Sequence, residues 1–163
     1  DIGNGQGLYA QSNAMLRWAG REGGLYPEDS TLALRCDGVV DMIEEMRTEM
    51  IKAGYGAVMN RHPVTARPMV PLVASQREEV VAMNKNVVFP TRYKQLESLL
   101  AASNGSYFCG ECLTIADIAF YVLTSSVLSG AWSGNGATPS TLDDCPKLRQ
   151  LEECVSALSL IHI

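Results

Sequence analysis

Residues 113–120, "LTIADIAF", contain a full set of helix-start signals. Thr114 and Asp117 have the spacing of a capping box, in which a carboxylate three residues into the helix satisfies backbone N–H groups at its start. Leu113 and Ile118 flank the pair at the two positions of a hydrophobic staple. The residues that follow are apolar on every side, which predicts a helix that begins at Thr114 and lies in the core. We interpret Thr114 and Asp117 as serving folding rather than catalysis.

The rest of the chain is typical of helices separated by Gly and Pro residues. From residue 30 onward, apolar residues recur at spacings of three and four, which predicts a long amphipathic helix. A second helical pattern covers 75–103, and Pro90 should kink or split it. Shorter helices are expected from Ser12 and from Pro146, whereas residues 1–10 indicate a Gly-rich turn and a short strand. The predicted fold is mainly α-helical, with a remnant of strand at the front.

The composition argues against several classes of protein. The chain has 163 residues and 47% hydrophobic content, which is enough to bury a core. Its net charge of −5 disfavours binding to nucleic acid, whose phosphates favour a basic face. No apolar run approaches the roughly 18 residues that a membrane span requires. The cysteines number five, and an odd set is typical of reduced thiols in a cytoplasmic protein.

The stretch "LYAQSNAMLRW" (8–18) has a polar pair, Gln11 and Ser12, where a helix is expected to start. One interpretation is an ordinary N-cap, in which the Ser12 hydroxyl accepts a hydrogen bond from an N–H group of the first turn. The other is an anion site, in which those N–H groups, the helix dipole and the Ser12 hydroxyl together bind a carboxylate. The Gln11 amide can donate to or accept from the same ligand. The residues alone leave both interpretations open.

Five acidic residues lie close together on the long predicted helix. Asp37, Asp41 and Glu45 are spaced four apart, with Glu44 and Glu49 beside them. Like charges at this spacing repel by about 0.2–0.5 kcal/mol per pair. The column is therefore either a solvated face or a place where a cation from a ligand or partner binds.

The sequence "FCGEC" contains a CxxC pair, Cys109 and Cys112. Such a pair can bind zinc or act as a redox couple. No second pair is present, and the histidines His62 and His162 lie far from it in sequence. We therefore expect neither a metal site nor a functional thiol pair, and we interpret His62 as an exposed loop residue.

Three stretches together resemble the cytosolic glutathione transferases. "LYAQSNAMLRWAGREGGLYPED" is similar to the segment that leads from the family's thioredoxin-like domain into its helical domain. "YFCGECLTIADIAFYVL" is similar to the start of the central helix of that helical domain, and "DDCPKLRQLEECVSA" is similar to the helix after it. The resemblance covers 1–157 and is closest to the sigma, pi and alpha branch.

The resemblance implies a domain organisation. Residues 1–25 would be the last strand and helix of a thioredoxin-like α/β domain, and residues 26–157 would form an all-helical C-terminal domain. We interpret the final residues 158–163, "LSLIHI", as a tail derived from a sequencing adapter.

The implied function is that of a homodimeric detoxification enzyme, which conjugates the thiolate of glutathione to a hydrophobic electrophile without a metal. Gln11 and Ser12 would bind the γ-glutamyl end of glutathione. Glu45, with Asp41 as the second choice, would contact the glutathione ammonium from the neighbouring subunit. Tyr55 would face the electrophile pocket.

The family's thiol-activating residue lies on the first strand-to-helix turn, which would precede Asp1. We therefore expect no catalytic residue in this chain, which would be an inactive fragment of an active enzyme. Two alternatives share the motifs: a glutathione-dependent isomerase of the prostaglandin D synthase type, and a non-catalytic relative such as an S-crystallin or a helical module of a translation factor. The Gln11–Ser12 pair favours glutathione binding, because a purely structural protein has no use for it.

Overall fold

Every regular element in the described part of the chain is helical. The structure is a computed structural model that describes residues 9–54 and 72–160. No strand occurs within these two ranges, and the short strand predicted in residues 1–10 falls largely outside them. The prediction of a mainly α-helical fold is confirmed. The helices are α1 (Ser12–Glu22), α2 (Ser30–Gly54), α3 (Ala74–Met83), α4 (Phe89–Ala101), α5 (Ile115–Leu128) and α6 (Pro146–Leu160).

Helix α2 begins directly after Asp29, as the sequence predicts. The Oδ1 atom of Asp29 accepts hydrogen bonds from the backbone N–H groups of Thr31 (3.0 Å) and Leu32 (2.9 Å). These donors have no acceptor within the helix, so the carboxylate stabilises its first turn. The predicted apolar stripe faces the core except at Leu32, which is 36% exposed. The buried members of the stripe are Cys36, Val39, Ile43, Met46 and Met50.

The helical segment around Pro90 is divided, as predicted. A single π-helical turn (Asn84–Val88) joins α3 to α4, and Pro90 is the second residue of α4. The N–H group of Phe89 donates to the carbonyl of Asn84, one residue further back than in an α-helix. Pro90 has no N–H group to donate, and the wider turn accommodates the missing hydrogen bond.

The buried Asn84 side chain ties this π-helical turn to two other segments. Its Nδ2 atom donates to the carbonyls of Glu49 and Asn135, at 3.1 Å each. Gly136 has a φ of 93°, and a Cβ atom there would lie 2.6 Å from the carbonyl oxygen of Val81. The loop after α5 therefore approaches the π-helical turn too closely for a side chain at this position.

The capping box predicted at the start of α5 is present and buried. The Oδ2 atom of Asp117 accepts hydrogen bonds from the N–H group (2.7 Å) and the hydroxyl (2.8 Å) of Thr114. Its Oδ1 atom accepts from the N–H group of Phe108 at 2.9 Å. Burial raises the pKa of Asp117, whereas these hydrogen bonds act in the opposite direction because they stabilise the carboxylate. The predicted geometry of this pair is confirmed.

Helix α5 lies at the centre of the helical core, between α2 and α6. The ring of Phe120 packs edge-on against Phe108, with 5.8 Å between the ring centroids. Helix α1 approaches α5 closely at Gly20, where a Cβ atom would lie 2.6 Å from Cγ2 of Ile115. The N–H group of Ile115 also donates to the carbonyl of Leu25 at 2.9 Å. These contacts hold α1 and the segment after it against the core.

Helix α6 begins at Pro146, as predicted, and its first turn is capped from a neighbouring helix. The carboxylate of Glu97, on α4, accepts hydrogen bonds from the N–H groups of Lys147 (3.0 Å) and Leu148 (2.9 Å). The helix then runs to Leu160. The loop between α5 and α6 contains two short 3₁₀ turns, Ser133–Asn135 and Pro139–Leu142.

Candidate functional site

Gln11 and Ser12 lie at the exposed N-terminus of α1. Gln11 precedes the helix with a φ of 76° and a ψ of 108°, and Ser12 is the first helical residue. Ser12 is therefore not the N-cap residue that the ordinary-cap interpretation made it. Gln11, one residue earlier, occupies the cap position. The Gln11 side chain makes no capping hydrogen bond to the first turn.

The backbone at this helix start suits an anion. The first intrahelical hydrogen bond runs from the N–H group of Met15 to the carbonyl of Gln11, at 3.1 Å. The N–H groups of the preceding three residues lie before the first bonded one, at the positive end of the helix dipole. A positive φ is uncommon for a residue other than glycine and costs of order 1 kcal/mol or more, so such residues concentrate at ligand sites. This end of α1 can therefore bind a carboxylate.

A cluster of charged and polar side chains connects α1 to α2. The Nε atom of Arg17 donates to Asp37 (2.7 Å), and its Nη2 atom donates to Asp41 (2.6 Å). The hydroxyl of Tyr26 donates to the other oxygen of Asp37 at 2.9 Å, and the guanidinium of Arg21 lies 4.2 Å from the centre of the Tyr26 ring. The hydrogen bond to Asp37 raises the pKa of Arg17. Burial, followed by the hydrogen bond to Asp37, raises the pKa of Tyr26. We call this cluster the α1–α2 clamp.

The acidic column on α2 is thus bonded to cations from the same chain, an outcome that the sequence analysis did not anticipate. Glu45, one helical turn after Asp41, pairs with Arg92 of α4. The two remaining acids pair within α2 itself, Glu44 with Arg47 at 2.7 Å and Glu49 with Lys52 at 2.6 Å. Of the two acids predicted to contact glutathione, Asp41 therefore lies toward α1 and Glu45 toward α4.

An apolar groove of about 410 Å³ runs between α1, α2 and α5, and Ser12 lies at its edge. Glu44 and Arg47 contribute polar atoms to its lining. Met15 (44%) and Trp18 (43%), which do not line the groove, are exposed elsewhere on α1. The apolar side chains that line the groove include Leu16, Val40, Ile43, Ile118, Val122 and Trp132.

Other predicted site residues fall outside the described residues or do not form a cluster. Tyr55 and His62 belong to the segment 55–71, which the structure does not describe. Within the ranges 9–54 and 72–160, no group of three or more His, Cys, Asp or Glu side chains could hold a metal ion. In the same ranges, no helix has the length and apolar character needed to cross a membrane. Cys109 is buried and Cys112 is exposed.

The chain matches a protein-family model in sequence and solved structures in fold. The family model for the glutathione S-transferase C-terminal domain matches residues 65–162. No curated protein matches in sequence. Prostaglandin synthase D of Nilaparvata lugens superposes with a TM-score of 0.70 at 17% identity, over 92% of this chain and 64% of that one.

Two further solved structures are similar to this chain in fold. The pi-class glutathione S-transferase of Onchocerca volvulus has a TM-score of 0.66 at 19% identity, over 91% of this chain and 60% of that one. The glutathione S-transferase Blo t 8 has a TM-score of 0.71 at 17% identity, over 96% of this chain and 62% of that one. The chain therefore spans less than two thirds of the length of these relatives.

Proposed function

Because the chain belongs to the glutathione S-transferase family, we propose that the protein binds glutathione and transfers its thiolate to a hydrophobic electrophile. The chain spans under two thirds of the length of the solved structures that it resembles. The activity, the substrates and the homodimeric state of the whole protein are all part of this proposal. In this proposed reaction, glutathione is the cosubstrate and no metal takes part.

The observation that carries the proposal is the start of α1, where Gln11 has a positive φ and its side chain makes no capping hydrogen bond. In the proposed complex, the γ-glutamyl carboxylate accepts hydrogen bonds from the Ser12 hydroxyl and from first-turn N–H groups. The Gln11 amide donates to the same end of the ligand. The Gln11 side chain does not compete for these donors, because it makes no capping hydrogen bond. A family member that used this turn for structure alone would gain from a capping side chain here.

The ammonium of glutathione requires an acid, which in this proposal comes from α2 of the neighbouring subunit. Glu45 and Asp41 remain the two candidates, and both carboxylates are more than half exposed although each pairs with an arginine. Comparison of Glu45→Gln with Asp41→Asn in glutathione binding identifies the contact, because the two variants remove one charge each without a change of size.

Thiol activation and the electrophile pocket are assigned to regions beyond the described helices. A hydrogen-bond donor that precedes Asp1 would stabilise the glutathione thiolate and lower its pKa. Tyr55 would face the electrophile. The exposed side chains of Met15 and Trp18, and the apolar groove, support the idea that a further part of the whole protein packs against α1.

The test is retention of the full-length protein on immobilised glutathione. Ser12→Ala should weaken binding by roughly 10- to 100-fold, because it removes a hydrogen bond to a charged group. Ser30→Ala is the matched control, since Ser30 is likewise the first residue of a helix but lies beside the Asp29 cap. Equal retention of both variants would contradict the proposal.

Turnover assays then distinguish the enzyme classes. A transferase consumes glutathione in a reaction with an aryl halide electrophile. An isomerase rearranges a peroxide substrate and leaves the concentration of glutathione unchanged. A scaffold protein does neither, even when glutathione binds.

A further inference from the structure

Two buried cysteines from distant parts of the chain lie side by side. Cys36, on α2, is 0% exposed, and Cys109, in the turn before α5, is 6% exposed. The Cys36 and Cys109 thiols interact with each other and with the Thr114 side chain. The Cys109 sulfur is also 3.6 Å from the carbonyl oxygen of Leu32, one turn before Cys36. The two thiols are therefore held together by the packing of this turn against α2.

The pKa values of the two thiols are shifted in opposite directions. The interaction with Cys36 lowers the pKa of the Cys109 thiol, although burial acts in the opposite direction. The same interaction, together with burial, raises the pKa of Cys36. Cys109 therefore ionises first, and the thiolate is the species that attacks in thiol–disulfide exchange.

A third cysteine follows Cys109 closely in sequence and is open to solvent. Cys112 is exposed, in contrast to Cys109 three residues before it. Between them, Gly110 has a φ of 97°, and its backbone bridges to Tyr107 in a tight turn. An external oxidant can therefore reach Cys112, whereas the buried pair is shielded from it.

We propose that Cys36 and Cys109 form an intramolecular disulfide on exposure to glutathione disulfide, and that Cys112 is the thiol that meets this oxidant first. In this proposal, Cys109 of the CxxC motif bonds first to Cys112 and then to Cys36. It does not rest on the binding of glutathione at the start of α1.

The reaction is a sequence of three exchanges. The Cys112 thiolate attacks glutathione disulfide, and a sulfur–sulfur bond to Cys112 forms as one glutathione leaves and takes up a proton. The Cys109 thiolate then attacks Cys112, and the second glutathione leaves in the same way. Cys36 finally attacks Cys109 while its proton passes to the Cys112 sulfur that leaves, so this step needs no free thiolate at Cys36, whose pKa is raised. In total, two thiols lose two protons and two electrons, and one glutathione disulfide becomes two molecules of glutathione.

The Cys36–Cys109 disulfide would join the turn before α5 to α2. Cys109 follows Phe108, whose N–H group donates to the buried Asp117 carboxylate. The disulfide therefore fixes the start of α5 to α2 and restricts the unfolded chain. We expect the oxidised form to have a Tm about 5–10 °C above that of the reduced form.

The test is oxidation of the full chain with glutathione disulfide, followed by disulfide mapping. Free thiols are blocked with N-ethylmaleimide under denaturing conditions before digestion. Trypsin cleaves after Arg35, directly before Cys36, and a glutamate-specific protease cleaves after Glu111, which separates Cys109 from Cys112. The expected product is a cross-linked pair of peptides that contains Cys36 and Cys109. Alkylated Cys36, or a final bond between Cys109 and Cys112, overturns the proposal.

Two variants and a matched control separate the steps. Cys112→Ala should slow formation of the Cys36–Cys109 bond by at least about tenfold, because the exposed thiol reacts first. Cys36→Ala should stop the exchange at a Cys109–Cys112 disulfide. Cys154→Ala removes an exposed thiol on α6 and should change neither the rate nor the product. An unchanged rate in Cys112→Ala, or a fully reduced Cys36→Ala, overturns the assignment of Cys112.

Discussion

At the scale of single residues, Asp117 satisfies three buried donors with one carboxylate. Asp117→Asn turns one oxygen into an amide, so at least one donor loses its acceptor where water cannot replace it. We expect the free energy of unfolding, measured with urea, to fall by about 2–3 kcal/mol. Asp29→Asn is the control, because Asp29 caps α2 in solvent and Asn caps equally well, so its loss should stay below about 0.5 kcal/mol. Equal losses would contradict this explanation.

A second prediction at this scale concerns Tyr93, whose hydroxyl is buried beside Thr124. Neither hydroxyl has a hydrogen-bond partner in the described part of the chain. Burial raises the pKa of Tyr93 from 10.0 to about 12. Because the folded-state pKa lies above the unfolded value, its contribution to stability is complete below the unfolded pKa and is lost as pH rises through the folded one.

We therefore expect Tyr93→Phe to change stability at neutral pH by less than about 1 kcal/mol, since no hydrogen bond is removed. In strong alkali the variant should lose about 2–3 kcal/mol less than the parent, because it has no proton to release on unfolding. Urea unfolding along a pH series measures the difference. Tyr121→Phe, at a half-buried ring on α5, is the control and should follow the parent. Parallel profiles for the parent and both variants would refute the argument.

Whether a residue's partner could be predicted depends on how far away it lies in sequence. Thr114 and Asp117 are one helical turn apart, so their spacing was enough to predict the capping box. The partner of Asp37 lies on another helix, and a sequence pattern gives no information on which helices pack together. For this reason the acidic column alone indicated a solvated face or a cation from a ligand or partner, whereas Arg17 of the same chain supplies the cation. The neighbour of Cys109 was missed for the same reason.

At the scale of helices, most boundaries could be predicted because proline and capping residues act locally. The starts after Asp29 and at Pro146 and the division near Pro90 follow from side chains at those positions. The π-helical turn could not be predicted, since Asn84 is held by carbonyls from two distant segments. The positive φ of Gln11 could not be predicted either, because nothing in its side chain requires it.

Helix α6 gives a prediction at this scale, because its N-terminal cap comes from α4. Glu97→Ala leaves two N–H groups of the first turn of α6 without their acceptor. We expect a loss of about 1–2 kcal/mol in the free energy of unfolding, as for other N-cap removals. Glu97→Gln keeps an acceptor oxygen and should lose about half as much. Glu153→Ala, at an exposed position on α6, controls for the loss of charge. A loss in Glu153→Ala equal to that in Glu97→Ala would argue against the cap.

At the scale of the whole molecule, the orientation of α1 relative to the helical core is set at three points. Gly20 permits close contact with Ile115, the carbonyl of Leu25 accepts from the start of α5, and the α1–α2 clamp adds charge pairing. The candidate glutathione site lies at the start of α1, while the acid proposed to complete it comes from α2 of the neighbouring subunit. The clamp therefore fixes the orientation of α1 on the helical core of its own subunit.

The last prediction tests which half of the clamp holds α1. Asp37 accepts hydrogen bonds from both Arg17 and Tyr26, and its side chain is 34% exposed, whereas Asp41 pairs with Arg17 alone and is 64% exposed. Two donors lose a charged acceptor in Asp37→Asn, so we expect a loss of about 1–2 kcal/mol. Asp41→Asn should lose less than about 0.5 kcal/mol, because solvent and salt screen the exposed pair.

Urea unfolding at low and high ionic strength measures both effects. The small effect of Asp41→Asn should disappear at high salt, whereas most of the Asp37→Asn effect should persist, because hydrogen bonds to a partly buried carboxylate are screened less. A double-mutant cycle between Asp37→Asn and Tyr26→Phe isolates the hydrogen bond that does not involve Arg17. If Asp41→Asn costs as much as Asp37→Asn at low ionic strength and both losses disappear at high ionic strength, surface charge rather than the part-buried hydrogen bonds holds α1. The orientation of the proposed site must then depend on salt.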